Sequence, residues 1–189
     1  MPHIELGNDL FGIRSLLKYR PETARPMGML AEVLMRGPGT LTPGERELIA
    51  ASVSSRNECG YCTASHAASA TVRLPGGATL VDQVLAGPQT APITPKLAAL
   101  LQIAGAVQES GKAVRKEDVA AAREAGATDL EIHDTVLIAA AFCMFNRYVD
   151  GLATTAQPDP AAYLASAQKN INVGYLASLD PPGTTQQAG

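Results

Sequence analysis

Residues 42–72 read TPGERELIAASVSSRNECGYCTASHAASATV and predict two consecutive helices. Thr42 is a good helix cap, the proline after it suits the first helical position, and Glu45 completes a capping box. The first helix is therefore expected over 43–56, and the asparagine that follows can end it. A second helix is expected over 59–72, which places two cysteines and a histidine in its first two turns.

The same helical pattern extends through the rest of the chain. Apolar residues recur at spacings of three and four rather than alternating, and aromatic residues make up only 4% of the sequence. Thr94 and a capping box opened by Thr128 mark the starts of two further long helices. The predicted helices are 8–20, 25–37, 43–56, 59–72, 79–87, 95–111, 116–126, 129–152 and a further segment, 159–170. With no credible pair of strands, the sequence predicts an all-α single domain of roughly eight helices.

Length suggests one domain, because 189 residues can bury a proper core without being divided. We predict an N-terminal helical arm over 1–20 and a helical domain over 21–156. A C-terminal helix and a flexible tail are predicted over 157–189, and the last residues, 179–189, read LDPPGTTQQAG.

Composition argues against several classes of function. The net charge of −3 gives no basic footprint for nucleic acid, and no run of Lys and Arg suggests a membrane surface. No apolar stretch reaches the roughly 18 residues of a spanning helix, and the N-terminus lacks the features of a signal peptide. We therefore expect a cytoplasmic protein. In that compartment a close cysteine pair is typically catalytic, redox-active or metal-binding rather than a permanent disulfide.

The candidate chemistry centres on Cys59, Cys62 and His66. A helix turns about 100° per residue, so these three side chains fall within about 60° of one another on one face. The first turn of a helix favours a thiolate, through unpaired backbone N–H groups and the positive end of the dipole. His66 lies one turn beyond Cys62 and is placed to exchange a proton with it. A thiol peroxidase or a disulfide oxidoreductase needs this combination.

Two alternatives to this redox interpretation stay open at this point. Two cysteines and a histidine could bind zinc, with His133 or an acidic residue completing the four ligands of a structural site. The cysteines could also be small residues placed in a helix by chance. The third cysteine, Cys143, lies in an apolar run and is expected to be a packed core thiol.

Glu47 is a candidate for a proton relay. It precedes Cys59 by twelve positions on the helix expected to pack against the cysteine helix, and it borders an apolar stripe. A carboxylate there could orient or protonate His66. The alternative is a solvated glutamate on a charged first turn, as expected for Glu45 and Arg46.

A polar cluster near the end of the helix 129–152 is a weaker candidate. Arg147 and Asp150 are three residues apart and could form an exposed ion pair. Alternatively, Asn146 or Arg147 faces the active pocket or a subunit interface.

These residues resemble a known motif. Glu47, eleven intervening residues, CGYC at 59–62, three more residues and His66 resemble the motif of the AhpD-like alkylhydroperoxidases of the carboxymuconolactone decarboxylase superfamily. The specific segment is ERELIAASVSSRNECGYCTASHAASA at 45–70, and looser resemblance extends through 92–107 to 139–154. Tyr61 stands where a histidine is often found between the cysteines, a feature of sequences that resemble the peroxidase-related branch.

The resemblance implies an AhpD-like helical fold, a homo-oligomer, and no metal, haem or other cofactor. It implies that Cys62 attacks the hydroperoxide, that Cys59 resolves the product as a redox-active disulfide, and that Glu47 and His66 relay protons. Tyr61 could take over part of the role usually assigned to the missing histidine. The implied activity is that of an antioxidant oxidoreductase, a peroxidase regenerated by a lipoyl or thioredoxin-like dithiol. A non-catalytic dithiol sensor and a decarboxylase-like acid–base enzyme are the alternatives, although members of the second kind generally lack the cysteine pair.

Overall fold

Helices make up all the regular structure in the part of the chain that the computed structural model describes, residues 1–177. Their bounds are α1 Ile13–Tyr19, α2 Pro21–Arg36, α3 Pro43–Arg56, α4 Gly60–Thr71, α5 Gly77–Ala86, α6 Pro95–Glu109, α7 Lys116–Glu124, α8 Asp129–Gly151 and α9 Pro160–Ala177. One 3-10 turn, Gly111–Ala113, separates α6 from α7. The prediction of an all-α single domain is confirmed, whereas the predicted tail 179–189 lies outside the described residues. The domain boundaries at 20 and 156 stay predictions.

Helix starts follow the capping signals in the sequence. The Thr42 hydroxyl accepts from the Glu45 backbone N–H at 3.2 Å, and the Glu45 carboxylate accepts from the Thr42 N–H at 2.8 Å. Thr128 and Glu131 repeat this reciprocal pair at the start of α8. Because both boxes satisfy backbone donors that lack helical partners, the start of each helix coincides with its local sequence signal.

Three helix boundaries differ from the predictions by more than two residues. The first helix begins at Ile13 rather than Asn8, because Gly12 has φ 54° and ψ −139° and its N–H bonds to Thr155 O at 2.9 Å. The second begins at Pro21 and carries Pro26 inside it. The last helix continues to Ala177, with a break in helical geometry at Gly174.

The core is built around α3, which lies buried among α4, α6 and α8. Leu48, Ile49 and Val53 of α3 are fully buried, and burying a side chain of this size stabilises the fold by about 1.5–3 kcal/mol. They pack with apolar residues of α6 and α8 in one continuous cluster. This packing fixes α3 as the support on which the neighbouring α4 is held. None of the helices in residues 1–177 combines the length and apolar character needed to cross a membrane.

Arg46 does not have the solvated position expected for it. It is 2% exposed, and its guanidinium donates to the carbonyl oxygens of Leu34 at 3.2 Å and Gly37 at 2.9 Å. These acceptors lie at the end of α2, where helical carbonyls lack intrahelical partners. Arg46 therefore ties the end of α2 to the first turn of α3.

Candidate active site

The two cysteines of interest lie at the start of α4, immediately after a tight turn from α3. Glu58 adopts φ 58° in this turn, a left-handed conformation that costs a non-glycine residue about 1–2 kcal/mol. The N–H of Cys59 then bonds to Ser54 O at 3.0 Å, so Cys59 is held as the N-cap of α4. Cys62 is the third residue of the helix, and both cysteine side chains are buried. The strained turn thus places both thiols at a helix N-terminus.

The two thiols are free, and their interaction moves their pKa values in opposite directions. The pKa of Cys59 is raised, first by its hydrogen bond to Cys62 and then by burial. The pKa of Cys62 is lowered, first by the hydrogen bond from Cys59, against burial, and further by His66 and by a hydrogen bond from Asn146. Of the two side chains, Cys62 is therefore the one that favours the thiolate form, and Cys59 favours the thiol.

Asn146 belongs to this site, whereas Arg147 does not. Asn146 is fully buried, donates to Ser54 Oγ at 3.1 Å and accepts from Asn57 Nδ2 at 2.8 Å. These bonds hold its amide against Cys62, whose thiolate it stabilises. Arg147 is exposed and, within residues 1–177, donates to the Cys143 carbonyl oxygen at 3.0 Å rather than pairing with an acid.

Glu47 and His66 form a close pair beside the cysteines. Glu47 is 1% exposed, and its Oε2 lies 2.7 Å from Nδ1 of His66. The edge of the His66 ring meets Phe142, with ring centroids 4.5 Å apart at 83°. Because Glu47 engages Nδ1, Nε2 is the ring nitrogen left for proton exchange. The sequence placed Glu47 at the border of an apolar stripe, and the structure buries it against His66 rather than in solvent.

Tyr175 completes the carboxylate's environment, and sequence reasoning missed it. Its hydroxyl donates to Glu47 Oε1 at 2.7 Å, and burial raises the pKa of Tyr175 well above the usual value, so it stays a neutral donor. The preceding residue, Gly174, has φ 75° and ψ −177°, a conformation open essentially only to glycine. In the sequence, the Gly-Tyr pair beyond the predicted end of the helix was the one signal that could have indicated a break in the helix and a tyrosine placed by it.

A second set of contacts anchors the end of α9 to α2. Glu32 accepts from the Tyr175 N–H at 2.6 Å and pairs with Arg36 at 2.8 Å. Arg36 in turn donates to the carbonyl oxygens of Asn170 at 2.9 Å and Ile171 at 3.1 Å. The Glu32–Arg36 pair therefore fixes both sides of the break in α9 and with it the position of Tyr175.

Tyr61, between the two cysteines, points into the same region. Burial raises the pKa of Tyr61 to about 12, so its hydroxyl is neutral at physiological pH. Its ring tilts against Tyr163, with centroids 5.8 Å apart, and Gly12 packs so closely against it that a Cβ there would clash with the ring. Tyr61 is thus a fixed part of the wall around Cys62.

A cavity of about 440 Å³ opens beside these residues, between α1, α2, α4, α8 and α9. Cys62 and His66 line it together with Tyr61 and Tyr175, whereas Cys59 is not part of its wall. Its apolar lining is Phe11, Ile13, Met27, Ala31, Phe142, Phe145 and Ala162. Its remaining polar lining is Arg14, Ser65, Gln157, Tyr163, Ser166, Lys169 and Asn170. One thiol of the pair therefore faces the cavity, and the other lies behind it.

The residues needed for a zinc site are not brought together. His133 is exposed and lies 3.0 Å from Asp134, and Cys143 is half-buried against the core with Asn57 Nδ2 at 3.6 Å from its sulfur. Within residues 1–177, no group of three or more His, Cys, Asp or Glu side chains is arranged to hold a metal ion.

Comparison with known proteins gives the family. The carboxymuconolactone decarboxylase family matches residues 21–106. An uncharacterised peroxidase-related protein from Silicibacter sp. TM1040 has a similar structure at 26% identity and a TM-score of 0.72, over 80% of this chain and 78% of that one. A structure described as an alkylhydroperoxidase AhpD core, an uncharacterised peroxidase-related protein from Ralstonia eutropha JMP134, is 30% identical, with a TM-score of 0.71, over 81% of this chain and 78% of that one. The chain belongs to the AhpD-like/carboxymuconolactone decarboxylase superfamily.

Membership of this superfamily confirms the resemblance seen in the motif and the AhpD-like helical fold. A search of curated proteins finds no match to the chain. Both similar structures are of uncharacterised peroxidase-related proteins.

Proposed function

We propose that the protein is a thiol-dependent peroxidase in which Cys62 reduces hydroperoxides and Cys59 resolves the product. One observation carries the proposal: Cys62 faces a cavity beside His66, which Glu47 holds at 2.7 Å, while Cys59 lies behind the cavity wall. The lowered pKa of Cys62 adds to it, because a thiolate is the nucleophilic form of cysteine.

The first step consumes the hydroperoxide. The Cys62 thiolate attacks the terminal oxygen of R–O–O–H, an S–O bond forms and the O–O bond breaks. Cys62 is oxidised to a sulfenic acid, and the substrate is reduced to an alkoxide that takes a proton from the His66 imidazolium to leave as an alcohol.

The second step closes a disulfide. Once Cys62 is a neutral sulfenic acid, neither its hydrogen bond as a thiolate nor its negative charge raises the pKa of Cys59 any longer. His66, now neutral, accepts the Cys59 proton, and the resulting thiolate attacks the Cys62 sulfur. An S–S bond forms, the S–O bond breaks, and hydroxide leaves as water with the proton from His66.

An external dithiol completes the cycle. Its two thiols reduce the Cys59–Cys62 disulfide through a mixed disulfide, becoming oxidised themselves and returning two protons to the site. We propose a lipoyl or thioredoxin-like dithiol for this role, in keeping with the family resemblance.

Glu47 and Tyr175 act in this scheme by positioning His66. Glu47 fixes Nδ1 of His66 and hence the direction of Nε2, and the Tyr175 hydroxyl satisfies the other carboxylate oxygen. Neither group needs to touch the hydroperoxide, so both are positioning residues, as is Asn146 for the Cys62 thiolate.

Turnover with a dithiol tests the proposal. Reduced protein is mixed with hydrogen peroxide or an organic hydroperoxide, with dihydrolipoamide as reductant, and loss of hydroperoxide and of thiols is followed. A peroxidase turns over many equivalents of hydroperoxide, whereas a redox sensor whose disulfide the dithiol does not reduce stops after one. A decarboxylase-like acid–base enzyme would not consume hydroperoxide, and its acid–base activity would persist in Cys62→Ala.

We also propose that the protein is a cytoplasmic homo-oligomer. Met29 and Val33, one turn apart on α2, are 50% and 66% exposed, which is consistent with an apolar face that another subunit covers. A reducing compartment suits a cysteine pair that must return to the dithiol form. Light scattering at micromolar concentration tests the assembly, and a mass of 19.6 kDa would refute it.

A further inference from the structure

The charge of the cavity beside Cys62 is one-sided. Apart from Cys62 and His66, the ionised side chains among its described lining residues are Arg14 and Lys169, and none of these lining residues is Asp or Glu. The whole chain carries a net charge of −3. Outside the reacting pair Cys62 and His66, the cavity therefore presents only positive charge in a negatively charged protein, and this local charge favours a negatively charged ligand.

Arg14 and Lys169 come from opposite ends of the chain and are free to meet a ligand. Both are exposed, Arg14 on α1 and Lys169 on α9. Neither takes part in any of the ion pairs found within residues 1–177, in contrast to Arg36 and Lys96, which pair with glutamates. The charge of Arg14 also acts on the hydroxyl of Tyr61, whose pKa it lowers against burial, so Arg14 lies close to the cavity wall.

The rest of the cavity suits an organic molecule. Its volume of about 440 Å³ lies within the roughly 300–1,000 Å³ of pockets for organic ligands and is far larger than hydrogen peroxide requires. Phe11, Ile13, Met27, Phe142 and Phe145 supply an apolar part of the wall, and all five are less exposed than the two cations. The lining therefore changes from charged at the exposed side chains to apolar inside.

We infer that the preferred substrate is an aliphatic hydroperoxide that carries a carboxylate, the chemical class of oxidised fatty acids. This inference rests on the proposed peroxidase function and names the substrate of the same site. The carboxylate lies between Arg14 and Lys169, the hydrocarbon chain packs on the apolar wall, and the hydroperoxide group reaches Cys62. The chemical step is the one already described, and the carboxylate leaves unchanged on the alcohol product.

A matched pair of substrates tests the inference. A hydroperoxy carboxylic acid short enough to stay monomeric in buffer is compared with its methyl ester, and Cys62 oxidation is measured in a single turnover. Because each exposed charge contact contributes only a small stabilisation, we expect the acid to react about fivefold faster than the ester at low salt. The difference should shrink as added salt screens the charges.

Variants locate the effect. Arg14→Gln/Lys169→Gln should remove the preference for the acid, so that the acid and the ester then react at similar rates. The control Lys18→Gln/Lys112→Gln removes the same charge from exposed lysines that do not line the cavity, and it should keep the preference.

The outcomes separate this inference from the proposed function. The carboxylate assignment would be overturned by equal rates for acid and ester in the wild-type protein, or by the same preference in both double variants. In either case, oxidation of Cys62 by the ester would still support the proposed peroxidase function. Failure of every hydroperoxide, tert-butyl hydroperoxide included, to oxidise Cys62 would overturn both.

Discussion

The hydroxyl of Tyr175 donates a 2.7 Å hydrogen bond to Oε1 of Glu47. The other oxygen of this buried carboxylate lies 2.7 Å from Nδ1 of His66, so a residue near the end of the chain completes a unit set between α3 and α4. A buried carboxylate is stable only when its oxygens are hydrogen-bonded. The position of α9 and the geometry beside Cys62 are therefore linked.

Tyr175→Phe should slow peroxide-dependent oxidation of Cys62 about tenfold, less than the loss of a group that itself transfers a proton, because Glu47 loses only one fixed partner. The unsatisfied carboxylate oxygen should also cost about 1–3 kcal/mol of unfolding free energy. Stopped-flow single turnover and denaturant unfolding measure the two effects. Tyr148→Phe, a half-buried tyrosine of α8 outside the cavity wall, is the matched control. An unchanged rate in Tyr175→Phe would remove Tyr175 from the positioning role.

Glu47→Gln and His66→Gln should each lower the single-turnover rate by about a hundredfold, the lower end of general acid–base contributions, since Tyr61 can supply part of the missing function. Because the two residues act as one unit, the double variant should lose much less than the product of the single effects. Helical content by circular dichroism should stay the same. Wild-type rates in both single variants would reject the proton relay through Glu47 and His66, and the site would then be no more than an accessible dithiol.

The pH dependence of Cys62 alkylation should reflect its lowered pKa. In a Cys143→Ser background, the rate with iodoacetamide should rise with a midpoint below that of an ordinary thiol, because the thiolate is the reactive form. Cys59→Ala removes the hydrogen bond that lowers this pKa most, and His66→Gln removes a positive charge, so both should move the midpoint upward, the first by more. A midpoint that does not move in either variant would refute this electrostatic account.

Gly174→Ala should displace Tyr175 without touching the cavity directly. The alanine cannot readily adopt φ 75° with ψ −177°, and its Cβ would come within 2.6 Å of the Glu32 carboxylate. We expect a loss of about 1–3 kcal/mol in unfolding free energy, together with a slower single turnover like that of Tyr175→Phe. Gly151→Ala, where a Cβ meets no neighbour within 4 Å, should leave both quantities near wild type. Equal behaviour of the two alanine variants would contradict the proposed role of the break in α9.

Local signals in the sequence account for most of the fold. The capping boxes at Thr42 and Thr128 fixed two helix starts, and the spacing of Cys59, Cys62 and His66 placed them together at the start of α4. These features depend on residues three or four apart, which interact wherever the helix is placed.

Features that depend on distant contacts were not predictable in the same way. Arg46 is buried because the end of α2 needs donors, and the contact of Tyr175 with Glu47 joins residues 128 positions apart. The helix start at Ile13 also depends on a distant partner, the carbonyl oxygen of Thr155 bonded to Gly12. Such contacts exist only after the helices have packed, so local patterns such as periodicity and capping residues do not indicate them.

The identity of the oxidised cysteine tests the central claim most directly. Cys59→Ser protein is treated with one equivalent of hydroperoxide in the presence of dimedone, which traps sulfenic acids, and the adduct is located by peptide mass mapping. We expect a single adduct on Cys62, whereas wild-type protein treated in the same way should instead contain the Cys59–Cys62 disulfide. An adduct on Cys143, or no adduct on Cys62 while hydroperoxide is consumed, would contradict the central claim.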